Sequence, residues 1–163
     1  MMSTYEFTLK FAVPVRPDHP DDWVERLAEA GCDDALVGTG MAGRLALEFD
    51  REAENAEVAL QSAIADVHRA VPEARLIEAG PDFVGLTEMA DLLGISRQAM
   101  RKTVERYIDS FPLPVHEGNP SLWHLQDALE WLQRVQGRET EETLEEIARS
   151  AYALNRDRDA AAA

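Results

Sequence analysis

The sequence predicts an α+β fold in two parts, residues 1–80 and 84–134, followed by a further helix. Three observations predict it. The first 80 residues alternate stretches of two-residue periodicity with amphipathic stretches of helical periodicity. Residues 86–104, LTEMADLLGISRQAMRKTV, have the layout of a short helix, a glycine turn and a second helix. Residues 111–132 then set a proline-bounded hairpin ahead of another amphipathic helix.

In the first part, Tyr5, Phe7, Leu9, Phe11 and Val13 alternate with Glu6, Thr8, Lys10 and Ala12, which makes a half-buried strand. Pro14 and Pro17 end it. Asp21 and Asp22 open a helix, where carboxylates suit the positive end of the dipole. Trp23, Val24, Leu27 and Ala28 supply its apolar face, and Gly31 stops it. Ala35-Leu36-Val37 is a short strand, and Leu45, Leu47 and Phe49 alternate with Arg44, Ala46 and Glu48 in the next. A longer helix follows over about 53–71, with Leu60, Ile64, Val67 and Val71 on one face and Pro72 after it. A strand at Arg75–Ala79 completes the order βαββαβ. This is the pattern of a ferredoxin-like domain, an antiparallel sheet with both helices on one face.

Between the second and third strands lies GTGMAG, whose Gly38, Gly40 and Gly43 match a dinucleotide-binding spacing. That fingerprint works only where a helix begins at the loop, because the helix N-terminus holds the pyrophosphate. Here RLALEFD follows, with strand periodicity. A hairpin turn is the preferred reading, with a small-ligand loop as runner-up, and no cofactor is expected.

In the second part, Thr87 is placed to cap the first helix, Ala90 is small where the two helices cross, and Gly94 permits the turn. Ile95 plugs the turn from below, and Ser96 caps the second helix. Met100, Val104, Tyr107 and Ile108 fall on one face, expected to be core. Arg97, Gln98, Arg101, Lys102 and Glu105 fall on the other. The first residues of a recognition helix meet base edges, and glutamine and arginine pair bidentately with adenine and guanine. Lys102 and Arg106 suit phosphate contacts, which position without reading sequence. The alternative is a solvated charged face, with Gln98 an ordinary surface residue.

Phe111-Pro112-Leu113-Pro114-Val115 is extended, Gly118-Asn119-Pro120 turns, and Ser121-Leu122-Trp123 returns. Leu125, Ala128, Leu129 and Leu132, with Trp131 beside them, then form a closing helix, and Trp123 is expected in the core.

Residues 84–132 resemble the winged helix-turn-helix of the MerR-like class, especially small phage regulators of the AlpA/excisionase type. The shared order is helix, Gly-turn-Ser-Arg, helix, FP-x-P hairpin, Trp, helix. The resemblance implies binding of double-stranded DNA, with the second helix in the major groove and the hairpin, as a wing, near the backbone or minor groove. It covers about a third of the chain. One departure matters. The family's wing usually carries Arg or Lys, and none stands between Phe111 and Leu125. The wing offers His116, Glu117, Asn119, Ser121 and His124 instead. Contacts there reduce to neutral hydrogen bonds with little counterion release; the two histidines read preferentially as surface polar residues, with partial protonation in a phosphate field as the alternative. The candidate DNA-binding set is Thr87, Ser96, Arg97, Gln98, Arg101, Lys102, Arg106, His116, Asn119 and Ser121.

The net charge of -15 looks hostile to DNA, but it is unevenly spread. Residues 1–83 carry a net -10, residues 84–134 only -2, and residues 135–163 a net -3. Between residues 96 and 109, three arginines and a lysine face one glutamate and one aspartate, a positive stripe that would orient an otherwise acidic molecule on a polyanion.

No apolar run approaches the ~20 residues that span a bilayer, and the N-terminus lacks the basic start and apolar block of a signal peptide. Cys32 is the single cysteine, which fits a cytoplasmic setting. His19, His68, His116 and His124 lack metal-ligand spacing, and no catalytic constellation emerges, so neither a metal nor an enzyme is expected. Residues 138–155 form an amphipathic helix through Leu144, Ile147, Ala151 and Leu154, suited to docking on a partner helix or on its own domain. Residues 156–163 are expected to be a disordered tail.

The function expected is that of a sequence-specific DNA-binding regulator whose N-terminal domain assembles or senses. A single motif reads only a half-site, so a homodimer is expected. The alternatives are an acidic protein-binding module, antitoxin-like or DNA-mimicking, that neutralises a basic partner, and a regulator responding to a small effector.

Overall fold

The computed structural model describes residues 1–15 and 22–162; the expected roles of Pro17, His19, Asp21 and the last residue, 163, lie outside them. The fold is α+β. The elements run β1 (Ser3–Ala12), α1 (Asp22–Glu29), β2 (Ala35–Gly38), β3 (Arg44–Ala53), α2 (Ala56–Ala70), β4 (Arg75–Gly80), β5 (Phe83–Val84), α3 (Leu86–Leu93), α4 (Arg97–Arg106), β6 (Trp123–His124), α5 (Leu125–Gln136) and α6 (Glu142–Ala162).

Strand periodicity sets the first part. β1 to β4 form one antiparallel sheet in the order β2-β3-β1-β4. Tyr5, Phe7, Leu9 and Phe11 of β1 and Leu45, Leu47 and Phe49 of β3 are buried on one face, against residues of α1, α2 and α6. Thr4, Glu6 and Lys10 of β1 and Glu48, Asp50 and Glu52 of β3 are exposed on the other. The register sets Glu6 opposite Asp50 on that open face, and like charges directly across a ladder repel.

The loop 39–43 joins β2 to β3 as a hairpin, and Gly43, at φ 78°, supplies the left-handed residue. A strand follows the loop, so GTGMAG has no helix N-terminus at which to hold a pyrophosphate. In α1 only Trp23 and Leu27 are buried; Val24 and Ala28, expected on the apolar face, are exposed because this two-turn helix presents a narrow stripe to the sheet.

Arg51 is the polar residue of β3 that points inward. Its guanidinium meets Asp34 through Nε at 2.8 Å and Nη2 at 3.0 Å, Asp66 through Nη1 at 2.9 Å, Ser62 Oγ at 3.1 Å and the Gly31 carbonyl at 2.8 Å. One side chain thereby ties the α1–β2 loop and α2 to the sheet.

Two apolar cores result. The second gathers Val84, Met89, Ala90, Met100, Phe111, Trp123, Leu125 and Trp131, with Phe111 edge-on to both tryptophans. α6 joins them: Ile147 and Ala151 enter the first core, Ala148 enters the second, and Leu144 packs against both. The amphipathic helix therefore docks on its own chain. It also runs through Ala162, where the sequence predicts a disordered tail from residue 156. Alanine is the strongest helix former, and Arg158 Nε donates to the Leu76 carbonyl at 3.2 Å, so the last turns have both propensity and an anchor.

A buried polar junction fixes one part to the other. The Asp82 carboxylate accepts from Asn155 Nδ2 at 2.8 Å through one oxygen and meets His124 Nδ1 at 2.7 Å through the other. The Asn155 amide also pairs with both backbone groups of Ala79, each at 2.8 Å, as a neighbouring strand would. The Asp82 carbonyl accepts the Leu125 N–H at 2.7 Å where α5 begins. β4, β5–β6, α5 and α6 thus meet at one aspartate.

At the other end of α6, Tyr5 Oη donates to Glu146 Oε2 at 2.5 Å. That bond, with burial and the charge of Glu146, pushes the phenol above its ordinary range. A raised folded-state value favours the neutral phenol, so its contribution is complete below about pH 10 and is lost as pH climbs beyond that. Urea midpoints should fall faster between pH 9.5 and 11 (about the phenol range) for the native chain than for Tyr5→Phe; parallel curves would show that Tyr5 contributes nothing to the alkaline loss.

No helix among the described residues is long and apolar enough to cross a membrane.

Candidate nucleic-acid interface

The turn between α3 and α4 follows from two residues. Gly94 adopts a left-handed conformation at φ 69°, where its N–H bonds the Asp91 carbonyl and the Ile95 N–H bonds the Ala90 carbonyl. This double closure ends α3 sharply and turns the chain. Ser96 then caps α4, its Oγ accepting from the Ala99 N–H at 3.0 Å. Arg138 adds a contact the sequence does not signal, donating Nη2 to the Leu93 carbonyl at 3.2 Å at the end of α3.

Met89, Ala90 and Met100 are buried, with Val104 and Tyr107 partly so, and they hold α3 and α4 on the second core. Helical periodicity then turns Arg97, Gln98, Arg101, Lys102 and Arg106 outward, and all five are exposed. Ile108, expected in the core, is 66% exposed. α4 ends at Arg106 with Tyr107 as its C-cap, so the helical spacing that would have turned Ile108 inward no longer applies.

Arg101 Nε bonds Glu105 Oε1 at 3.0 Å, four residues on and with both side chains well exposed. Such a pair is worth about 0.3–0.5 kcal/mol and leaves the arginine easy to recruit. The Arg106 guanidinium lies 5.5 Å from the Tyr107 ring centroid. Arg97 and Lys102 have no carboxylate partner among the described residues. The face therefore presents two uncommitted cations, two loosely held ones and an amide.

Other candidates are placed differently. Thr87 is not the cap: Gly85 holds that position without a side-chain bond, and Thr87 is the second residue of α3, exposed. Ser96 Oγ is engaged by its own helix. Ser121 closes its own turn, accepting from the Gly118 N–H and donating to the Gly118 carbonyl, each at 3.2 Å. His116 and Asn119 are exposed, with the His116 ring folded against Gly118, where a Cβ would come within 2.6 Å of Nε2. His124, read as a surface residue, is instead half-buried between Asp82 and the Tyr152 ring, 4.2 Å away between centroids.

The wing is short. Its arms meet in a single bridge between His116 and Leu122, and Trp123 continues into a two-residue ladder with Val84 of β5. Trp123 is buried as expected, its Nε1 donating to the Pro112 carbonyl at 3.0 Å.

Asp82 and Asn155, which join β4, β6, α5 and α6, escaped the sequence-level reading because they stand 73 residues apart and carry no motif. His68 bonds the Ala74 carbonyl at 3.0 Å, and no metal-ligating cluster occurs among the described residues. No family model, curated protein or solved structure matches the chain.

Proposed function

We propose that the chain is a cytoplasmic, sequence-specific DNA-binding regulator, with residues 84–134 acting as a winged helix-turn-helix of the MerR-like, AlpA/excisionase type and the preceding βαββαβ unit as a ferredoxin-like assembly or sensing domain. The observation that carries this reading is the outward face of α4. Four cations and Gln98 project from a helix whose entry is fixed by a left-handed glycine and a serine cap, within the least acidic part of the chain. Arg97 and Gln98, in the first turn, are assigned to base edges, Arg101 to guanine or to phosphate, and Lys102 and Arg106 to phosphates. With no cation in the wing, one copy neutralises few phosphates, so a homodimer spanning two half-sites is part of the proposal.

The test is selection of binding duplexes from a random-sequence library, then titration of the recovered site at several salt concentrations. Lys102→Ala should weaken binding about equally for all sequences and flatten the plot of log affinity against log salt by roughly 0.9, one phosphate contact. Gln98→Ala should instead relax preference at one position by about 1–3 kcal/mol. Failure to enrich any sequence at low salt would sink the reading.

A second reading draws on the open sheet face, where Glu6, Glu48, Asp50 and Glu52 gather. Such a face suits a basic protein partner, as an antitoxin or DNA mimic would neutralise. Stoichiometric capture of one basic protein, abolished by charge reversal at Glu48 and Asp50, would favour it.

A further inference from the structure

Leu113 sits at the outer arm of the wing, 86% exposed between Pro112 and Pro114. An isolated exposed leucine is ordinary, but this one is held rigidly from both sides. Upstream, Phe111 is buried and its N–H bonds the Tyr107 carbonyl at 2.7 Å, one turn from the end of α4. The Pro112 carbonyl is fixed by Trp123 Nε1. Downstream, the Val115 N–H bonds the Leu122 carbonyl at 2.8 Å. The two prolines restrict the backbone between these anchors. The side chain therefore has little freedom to fold back onto the protein, and presenting it to a partner incurs little ordering entropy.

The same arm holds no cation. Between Arg106 and Arg134 there is neither lysine nor arginine, so the wing cannot dock by pairing with phosphates. A rigid, apolar arm, uncharged from Phe111 to Val115 and following a cationic helix, has a different chemistry to offer a duplex, insertion between base pairs. Apolar side chains, leucine and proline among them, enter the minor groove as wedges, unstack a step and kink the helix toward the major groove.

We propose that Leu113, flanked by Pro112 and Pro114, is a minor-groove wedge that unstacks one base step and bends the DNA beside the site held by α4. This rests on the DNA-binding reading above. A wedge of this kind favours a flexible pyrimidine–purine step, so it contributes specificity where no hydrogen bond is made.

The probe is a duplex of about 30 base pairs carrying the site recovered by selection, labelled at both ends for energy transfer and with 2-aminopurine at the candidate step. Native protein should shorten the end-to-end distance, with a bend in the range of about 20–90°, and raise the 2-aminopurine signal. Leu113→Ser, at a site that supports no core, should keep the fold, bind the recovered site more weakly with less preference at the wedged step, and leave the duplex straight and stacked; Leu113→Met should retain the bend. Native protein that protects the site without bending or unstacking it overturns the wedge and leaves the DNA-binding reading intact. Loss of dimers in Leu113→Ser, with the bend unchanged, also overturns it in favour of a contact between copies. Failure to select any duplex removes both.

Discussion

Asp82→Ala should lower the unfolding free energy by about 3 kcal/mol, the cost of taking one partner from a buried hydrogen-bonded charge. The carboxylate is fully buried, and the substitution leaves His124 Nδ1 and one Asn155 N–H without their acceptor. The loss is expected to be more than energetic. Asp82 is where β4, the β5–β6 ladder, α5 and α6 converge, so its removal loosens the attachment of the α3–α4 pair to the sheet. Urea denaturation should show the lower midpoint, and amide exchange should rise first at Ala79 and Leu125, whose N–H groups depend on this junction. Asn155→Ala should reproduce part of the effect and the same exchange pattern. A midpoint within about 0.5 kcal/mol of the native chain would show that the junction is incidental, since that is the spread of neutral surface substitutions.

Arg51→Met should cost about 3–5 kcal/mol. Methionine matches the aliphatic stem but leaves Asp34 and Asp66, both now salt-bridged to the guanidinium, facing one another without it. Asp66 keeps its pair with Arg69, whereas Asp34 has no second cation partner among the described residues. The double variant with Asp34→Asn should therefore recover a substantial part of the loss, because it removes the stranded charge rather than restoring a bond. Cys32, buried close by with its thiol pushed up chiefly by burial, provides the readout. Its alkylation at neutral pH should be slow in the native protein and faster in Arg51→Met, because opening of the buried site outweighs loss of the Arg51 charge, which itself lowers the thiol pKa. If the double variant is no more stable than Arg51→Met alone, the carboxylates are not what the arginine holds.

Much of this molecule was legible residue by residue. Strand alternation in β1 and β3, the hairpin at GTGMAG and the glycine–serine turn between α3 and α4 are written in local spacing, because side-chain direction and backbone dihedral limits act over a few residues. So is the outward direction of Arg97, Gln98, Arg101, Lys102 and Arg106, which follows from the burial of Met100 and Val104 on the opposite side. The misplacements within helices come from short elements. Thr87 and Ile108 stand at the ends of short helices, where one or two residues of boundary decide which way a side chain faces, and Val24 and Ala28 flank the narrow stripe that the two-turn α1 buries.

The sequence alone determined most of the elements, their order and the charged face of α4, since those depend on propensity, periodicity and chain-local hydrogen bonds; it did not signal β5, and the expected return strand forms its ladder with β5 rather than with residues 111–115. Tertiary structure alone decided how the parts are joined. That α6 threads both cores, that Asn155 takes the place of a strand beside Ala79, and that His124 turns to a buried aspartate rather than to solvent depend on groups far apart in sequence (Asp82 to His124 being 42 residues and Ala79 to Asn155 being 76). Such pairings leave no period and no motif in one chain, because a buried polar group is satisfied by whichever partner the fold brings within reach.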